Sequence, residues 1–284
     1  MKPFWTLPGL IKHLSAAVVL TVSGLLSAMP LQAETRFVGY TPAARPLAVS
    51  HRGCTRECPE NTLAAFDWAD RLGADVIELD LRTTSDGQLV VLHDRTVNRT
   101  TDGAGAIRNL TLDQVRRLNA GQGQRIPTAD EVFSFAASRH IRLLLDIKDS
   151  ATLDPGHLLD RLRQHQIADQ VIIGTRSLRL LRTLESLDPD LTTLAFISGA
   201  GTAQTAIDSG ADIIRLWARW TRGDPELVSS IQSQGRRVFV TAGALRMPDL
   251  TELAGIGVDG VITDYPGDVL MLKTSGRRAY RSDR

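Results

Sequence analysis

The sequence predicts an α/β protein, a (β/α)₈ TIM barrel with a small insertion after the second strand. From residue 45 onward, short β-branched or apolar runs alternate with stretches of helical periodicity. This alternation favours a parallel sheet with right-handed crossovers, and eight strand candidates favour its closure into a barrel. An open doubly wound sheet is the alternative, but no glycine-rich dinucleotide loop follows the first strand. The predicted strands are residues 47–51, 75–81, 142–148, 170–174, 191–196, 212–216, 237–241 and 260–264.

Helices are predicted between most of these strands. Residues 61–72 place apolar side chains along one side of a helix. Thr128-Ala-Asp-Glu131 is a capping box that opens a second helix, and Ser177 is the N-cap of a leucine-striped third. Residues 225–234 and 247–255 are predicted to form two more.

The segment after the second strand is too long for an ordinary connection, and we assign an insertion to about residues 83–127. It contains a turn at Asp86-Gly87, a short strand that ends at His93, a glycine-rich loop after Arg99 and a short helix near 112–118. Long ordered insertions above a barrel often carry function.

The two ends of the chain are predicted to lie outside the barrel domain, which we place at residues 34–272. Residues 1–33 have the basic start and short apolar core of a secretory signal peptide rather than of a membrane anchor. The chain is therefore expected to be exported across the inner membrane, to the periplasm. The basic segment 273–284 has no apolar periodicity and is predicted to be a disordered tail.

The charge pattern limits the possible partners. The formal net charge is +1, and the basic residues are scattered rather than arranged in a stripe with aromatic residues. This excludes a nucleic-acid-binding surface. No second apolar run is long enough to cross a bilayer, so no stable membrane span is expected in the mature chain. Nothing in the sequence indicates an oligomeric state.

The two cysteines, Cys54 and Cys58, lie in one short loop. In an oxidising compartment we expect them to form a disulfide. A pair of free thiols in a tight loop is the alternative, because so small a ring requires the loop to bend sharply.

Three acidic residues are predicted to share one face of the sheet. Glu78 and Asp80 are two apart on a strand, so they point the same way, about 6.6 Å apart. Asp146 and Lys148 end the next barrel strand in the same manner. An acid pair satisfied by nearby Arg or Lys is the structural alternative. Three acids together favour an all-oxygen site for a divalent cation, Ca²⁺ or Mg²⁺.

Two histidines are predicted to stand on the same rim. His51 ends the first strand and His93 ends the short strand of the insertion. Two imidazoles beside a dication suit acid–base chemistry on a phosphate ester, with one removing a proton and the other supplying one. Arg52 and Lys148 can neutralise phosphate charge.

Several motifs in combination resemble the glycerophosphodiester phosphodiesterase family, over about residues 47–267. They are His51-Arg52-Gly53, Pro59-Glu60-Asn61-Thr62, the run 73–80, Asp86-Gly87, His93-Asp94, Arg99-Thr100-Thr101 and the run 257–266. The resemblance implies a single barrel, a divalent cation and hydrolysis of glycerophosphodiesters to glycerol 3-phosphate and an alcohol.

Carried over by position, the resemblance also implies residue roles. His51 and His93 would be the acid–base pair, and Arg52 and Lys148 would contact phosphate. Glu60 and Asn61 would fix the first loop. The implied metal ligands are Glu78, Asp80 and Asp146.

The sequence departs from the family pattern at two places. The third acid is usually Glu but here is Asp146, and the seventh strand lacks the usual Trp and Asn, reading Val240-Thr241-Ala242-Gly243. Trp217 and Trp220 could supply a replacement wall, with Arg215 or Arg219, or could be packing residues. Two alternatives follow: phospholipase-D-like cleavage of lysophospholipids or sphingolipids, and a barrel that binds a phosphodiester without turnover.

Overall fold

A computed structural model of the chain describes residues 45–272. The predicted signal peptide, 1–33, and the predicted basic tail, 273–284, lie outside the described residues. None of the helices between residues 45 and 272 combines the length and apolar character that a transmembrane span requires.

Eight parallel strands close into a barrel, which confirms the predicted fold class. These strands and one short additional strand are β1 (Leu47–Ser50), β2 (Val76–Thr83), β3 (Leu89–Val91), β4 (Arg142–Ile147), β5 (Val171–Thr175), β6 (Thr192–Phe196), β7 (Ile213–Trp217), β8 (Arg237–Gly243) and β9 (Gly260–Thr263). The order around the barrel is β1, β2, β4, β5, β6, β7, β8 and β9, and β9 pairs again with β1. The ends of each predicted strand differ from those observed by no more than two residues.

The helices surround the barrel. They are α1 (Leu63–Leu72), α2 (Leu112–Arg116), α3 (Ala129–Arg139), α4 (Pro155–Gln164), α5 (Leu178–Leu187), α6 (Ala203–Asp208), α7 (Ala218–Gly223), α8 (Glu226–Gln232), α9 (Met247–Ile256) and α10 (Pro266–Leu270). We do not predict α4, α6, α7 or α10 from the sequence. Three of these have only five or six residues, too few to show a period. The fourth, α4, does carry a start signal, because Asp154 caps it and Pro155 is its first residue.

Both predicted helix caps are confirmed. The Thr128 hydroxyl accepts the Glu131 N–H at 3.2 Å, while the Glu131 carboxylate accepts the Thr128 N–H at 2.8 Å. The Ser177 hydroxyl accepts the Leu180 N–H at 3.2 Å. Each bond satisfies an N–H that the first turn of a helix leaves without a partner.

Both faces of the barrel strands are buried. On β2, the side chains of Ile77, Leu79 and Leu81 pack outward against residues of α1 and α3. Side chains alternate along a strand, so Glu78 and Asp80 face the inside of the barrel. The interior is filled mainly by aliphatic side chains, with Phe196 and Phe239. The two acids therefore interrupt a mainly apolar inner surface.

The insertion has a small core of its own. It starts as a β2–β3 hairpin, in which Leu81 pairs with Val91, and the turn places Gly87 at φ +77°. Beyond the hairpin, 3₁₀ and α-helical turns close over a compact apolar cluster. That cluster contains Val90, Leu92, Val97, Ile107, Val115, Ala120 and Ile126. The insertion is thus an ordered platform beside the barrel.

The predicted disulfide is not present in the structure, where Cys54 and Cys58 are free thiols. The loop forms a helix-like turn in which the Cys58 N–H donates to the Cys54 carbonyl at 3.3 Å. The Cys54 thiol instead donates to Glu57 Oε2 at 2.8 Å. Burial, with the bond to Glu57, raises the pKa of Cys54 to about 12, which keeps the thiol protonated.

Candidate active site

Three carboxylates lie together at the carboxyl-terminal end of the barrel strands, which we call the mouth. Glu78 and Asp80 come from β2, and Asp146 comes from β4, where it is the register partner of Asp80. One ligand atom from each residue lies within 4.8 Å of the other two. Each residue is at most 3% exposed, so its charge requires compensation by nearby cations or hydrogen bonds.

Two basic residues lie against this acidic cluster. Lys148 Nζ is 2.8 Å from Asp80 Oδ1 and also bonds Asp146. Arg52 Nε is 3.4 Å from Asp80 Oδ2, and its backbone N–H donates to Glu78 at 2.8 Å. Burial raises the pKa of Asp80, but the charges of Lys148 and Arg52 outweigh it, so this pKa is lowered. Burial and the charge of Asp80 raise the pKa of Glu78 to about 7.

The cluster fits a divalent cation. Asp146 Oδ1 is buried and has no hydrogen-bond partner among residues 45–272, and such an orphaned acceptor is costly. Burial, with the charges of Asp80 and Asp146, raises the pKa of Glu78, and a bound cation would favour its charged form. Carboxylate oxygens are the ligands that Ca²⁺ and Mg²⁺ prefer. The shorter side chain at Asp146 therefore does not remove it from the cluster.

His51 is paired with an aspartate in the loop that follows the last barrel strand. Its Nδ1 lies 2.7 Å from Asp264 Oδ1. Burial lowers the pKa of His51, but the hydrogen bond to Asp264 and the charge of Glu78 together raise it above the ordinary value. The ring therefore favours the protonated form more than a free histidine does.

His93 is also paired with an aspartate, but its pKa shifts in the opposite direction. Its Nδ1 lies 2.7 Å from Asp94 Oδ1. Burial lowers the pKa of His93, and the charge of Asp80 and the bond to Asp94 do not fully offset this, so the pKa is below the ordinary value. The two imidazoles at the mouth are thus biased toward different protonation states.

Arg82 holds the backbone of His93 in place. Its Nε and Nη2 donate to the His93 carbonyl at 2.9 and 2.7 Å. Its Nη1 donates to Asp149 at 2.7 Å. Arg82 follows Asp80 by two residues on β2 and is only 7% exposed. It therefore fastens the insertion to the barrel at the point where His93 reaches the mouth.

The first loop is fixed by the residues expected to fix it. Asn61 Nδ2 donates to Asp80 Oδ2 at 2.7 Å. Glu60 accepts bonds from Arg52 at 3.0 Å and from Arg99 of the insertion at 2.8 Å. Arg99 also donates to Asp94 at 2.7 Å. This network links the loop after β1 to the insertion and so holds both histidine segments together.

The two tryptophans have different surroundings. Trp217 ends β7 on the same strand face as Arg215, whose guanidinium carbon lies 4.3 Å from the centroid of the indole. Trp220, on α7, packs partly buried against the outer apolar cluster. Trp217 can therefore form part of a wall at the mouth, whereas Trp220 is a packing residue.

A family model for the glycerophosphoryl diester phosphodiesterase family matches residues 51–268 of the chain. The chain belongs to this family. The match begins at His51 and ends beyond Asp264, so it contains every residue of the mouth described above. The chain is accordingly an enzyme of the glycerophosphodiester phosphodiesterase type, and its acidic cluster offers a place for the divalent ion on which the family depends.

Curated relatives and solved structures agree with this membership. A glycerophosphodiester phosphodiesterase of Caldanaerobacter subterraneus is 33% identical over 82% of this chain and 99% of its own. One from Bacillus subtilis is 30% identical over 86% of this chain and 92% of its own. The crystal structure of a glycerophosphodiester phosphodiesterase from Agrobacterium tumefaciens superposes with a TM-score of 0.72 at 28% identity, covering 80% of this chain and all of the other.

The fold is also that of a phosphodiesterase from Oleispira antarctica, whose structure was solved with the product sn-glycerol-3-phosphate. That structure has a TM-score of 0.73 at 24% identity and covers 80% of this chain and 96% of its own.

All seven residues predicted from the sequence lie at the mouth of this phosphodiesterase. They are His51, Arg52, Glu78, Asp80, His93, Asp146 and Lys148. Three further residues were missed as site residues: Asp94, Asp264 and Arg82. The aspartates lie inside quoted motifs, so their position beside a histidine or at a strand end was an available signal. Arg82 could have been found from the alternation that places it on the face of Asp80.

Proposed function

We propose that this protein hydrolyses glycerophosphodiesters to glycerol 3-phosphate and an alcohol, with His51 and His93 as the acid–base pair. One observation carries the proposal: both imidazoles are tied through Nδ1 to a carboxylate and flank one acidic cluster. Nε2 of each ring has no hydrogen-bond partner within residues 45–272, so it is available to substrate. An aspartate on Nδ1 fixes the tautomer that presents Nε2 to the reacting oxygen.

The opposite directions of the two pKa shifts support a division of roles between the histidines. His93, with its lowered pKa, is the neutral base that takes the proton from the attacking oxygen. His51, with its raised pKa, is the acid that gives a proton to the leaving oxygen. After each turnover the extra proton on His93 and the missing proton on His51 exchange with solvent. General acid–base groups of this kind contribute roughly 10²–10⁴-fold each to rate.

The remaining charged residues bind and orient the phosphate. Arg52 and Lys148 already lie against the acidic cluster and can contact the phosphoryl oxygens. We propose that Glu78, Asp80 and Asp146 hold Ca²⁺ or Mg²⁺, which when bound supplies positive charge to the phosphoryl group. Asn61, through its bond to Asp80, keeps that carboxylate oriented.

The proposal is tested by assaying the protein on glycerophosphocholine and glycerophosphoethanolamine with Ca²⁺, Mg²⁺ or a chelator. We expect release of glycerol 3-phosphate that requires a divalent cation. His51→Ala and His93→Ala should each lower kcat by roughly 10²–10⁴-fold. His157→Ala, at an exposed histidine of α4, is the control and should retain activity. Full activity in either mouth variant would contradict the assignment of roles.

One observation supports a second candidate, phospholipase-D-like cleavage of lysophospholipid or sphingolipid head groups. At the end of β8, Gly243 stands where the family usually has Asn, and a Cβ at that position would have nothing within 4 Å. The space beside Gly243 could admit an acyl chain. Phosphorus NMR of the products from lysophosphatidylcholine distinguishes this reaction from glycerophosphodiester hydrolysis, because a persistent cyclic phosphate indicates attack by an internal hydroxyl.

A further inference from the structure

Arg215 is a buried arginine without an acidic partner. It lies on β7 between Ile213, a residue of the barrel interior, and Trp217, and is 3% exposed. Its Nε and Nη1 have no hydrogen-bond partner, and no carboxylate of residues 45–272 forms an ion pair with it. Burial lowers the pKa of Arg215 to about 10, which still leaves it charged at neutral pH. A buried charge with no anion in contact with it is costly and therefore points to an anionic ligand.

The guanidinium is held by aromatic rings, which orient it but do not neutralise it. Its central carbon lies 5.2 Å from the ring centroid of Phe196 and 4.3 Å from that of Trp217. The Phe196 ring can occupy this position because Gly174 on the adjacent strand has no side chain. A Cβ there would lie 2.5 Å from Phe196 Cε2. Gly174 on β5 and Phe196 on β6 thus together determine the surroundings of the Arg215 guanidinium.

A second arginine approaches the same ring. The Arg176 guanidinium carbon lies 5.5 Å from the Phe196 centroid, and its Nη1 is 3.8 Å from Asp146 Oδ2. The charge of Arg176 contributes to lowering the pKa of Arg215, so the two cations are close enough to repel each other. Asp146 is the carboxylate that partly offsets them, and a cation bound to Asp146 would reduce that effect.

The position of Arg215 separates it from the group that binds the reacting phosphate. In the closed barrel, β7 lies four strands round from β2, on the opposite side of the mouth from Glu78 and Asp80. Arg52 and Lys148 contact the acidic side. The mouth therefore has an acidic side with its own cations and, across from β2, the guanidinium of Arg215, with Arg176 between Arg215 and Asp146.

We propose that Arg215, assisted by Arg176, forms a second anion-binding subsite that takes a phosphate or carboxylate carried by the alcohol portion of the substrate. The inference rests on the proposed function, which places the reacting phosphate at the acidic cluster. The glycerol portion of a glycerophosphodiester is uncharged, so any second anion belongs to the other alcohol. The preferred substrates are then diesters whose leaving alcohol is anionic.

Two matched substrate pairs test the subsite. Glycerophosphoserine differs from glycerophosphoethanolamine by one carboxylate, and glycerophosphoglycerol can be compared with its terminally phosphorylated form. We expect the protein to favour the member with the extra anion, by roughly tenfold to a hundredfold in kcat/KM. Preference in only one pair would identify the anion as carboxylate or as phosphate, and preference in neither would overturn the proposal.

Arg215→Met should bring each ratio of kcat/KM toward one, because Met keeps the apolar contacts and removes the charge. The control is Arg179→Met on α5, an exposed arginine three residues after Arg176, which should leave the ratios unchanged. If Arg215→Met lowers kcat/KM equally for both members of a pair, Arg215 serves the reacting phosphate and the proposal is wrong.

Arg176→Met provides a second test of the subsite if Arg215→Met does not fold. The Arg176 side chain is 58% exposed, so its loss does not disturb packing. The ratio of kcat/KM within each substrate pair should fall roughly two- to fivefold, and an unchanged ratio would count against the subsite. If the wild-type protein hydrolyses none of the four diesters, the proposed function is contradicted. Calorimetric titration with the intact diesters then still tests whether the subsite exists. The wild-type protein should bind the diester with the extra anion more tightly than its matched partner, and the Arg176→Met variant should bind both more nearly alike.

Discussion

Nδ1 of His51 and Oδ1 of Asp264 are 2.7 Å apart, although 213 residues separate them in the chain. The bond exists because closure of the barrel makes the first and last strands neighbours, with Ser50 paired to Thr263. It joins the loops that follow those two strands at the mouth. It also raises the pKa of an imidazole that burial alone would make less basic.

Asp264→Asn should shift the alkaline limb of the pH profile to lower pH. His51 acts as an acid, so activity is present when it is protonated and falls as pH rises through its pKa. Removing the aspartate charge removes a contribution that raises that pKa, and the fall then begins at lower pH. The measurement is kcat/KM against pH. Asp190→Asn, at an exposed loop residue, serves as control; an alkaline limb that does not move would show that His51 is not the acid.

Asp94→Asn should shift the acidic limb of the pH profile. His93 acts as a base, so activity rises as pH rises through its pKa. Burial already lowers this pKa, and the bond to Asp94 partly restores it. Without the charge of Asp94 the pKa falls further, and the acidic limb moves to lower pH. The same pH series measures it, and movement toward higher pH would contradict the assignment.

Asp146→Asn should weaken binding of Ca²⁺ or Mg²⁺ and lower activity together. Loss of groups that merely orient a ligand typically weakens metal binding by roughly 10–100-fold, and loss of a ligand should cost at least as much. Asp146→Glu, which restores the residue usual in the family, should retain binding. Calorimetry with each metal chloride gives the affinities. Unchanged affinity in the asparagine variant would place the cation elsewhere.

Gly53→Ala should destabilise the protein and disturb the loop that carries Arg52. Gly53 has φ +78°, and an added Cβ would lie 2.8 Å from the backbone carbon of Ala65. Gly123 has a similar φ of +74° but nothing within 4 Å, so Gly123→Ala incurs the backbone strain alone. We expect Gly53→Ala to cost about 1–3 kcal/mol more in the free energy of unfolding than this control, by urea denaturation. Equal costs would show that the loop can move away from α1.

The barrel and its acidic cluster were predictable because both follow from local patterns. Strand–helix alternation sets the fold, and i, i+2 spacing puts Glu78 and Asp80 on one face. The ends of two predicted strands put His51 and His93 on one rim, and the resemblance then supported their roles. These features need no knowledge of which loops meet across the barrel.

The remaining features depend on tertiary contacts. The partner of His51 lies at the far end of the chain, and Arg82 reaches His93 only because the insertion folds back as a hairpin. The disulfide expected between Cys54 and Cys58 fails for a similar reason, since the turn directs the Cys54 thiol to Glu57. Arg215 interrupts an apolar strand, which marks it as unusual, but its missing partner is visible only in the structure.

The most direct test of the account is an NMR titration of the histidine ring protons in the metal-free protein, with resonances assigned by His51→Ala and His93→Ala. The ordinary histidine pKa is 6.5. We expect a pKa above this value for His51 and below it for His93. A reversed order, or two equal values, would contradict the proposed division of acid and base between them.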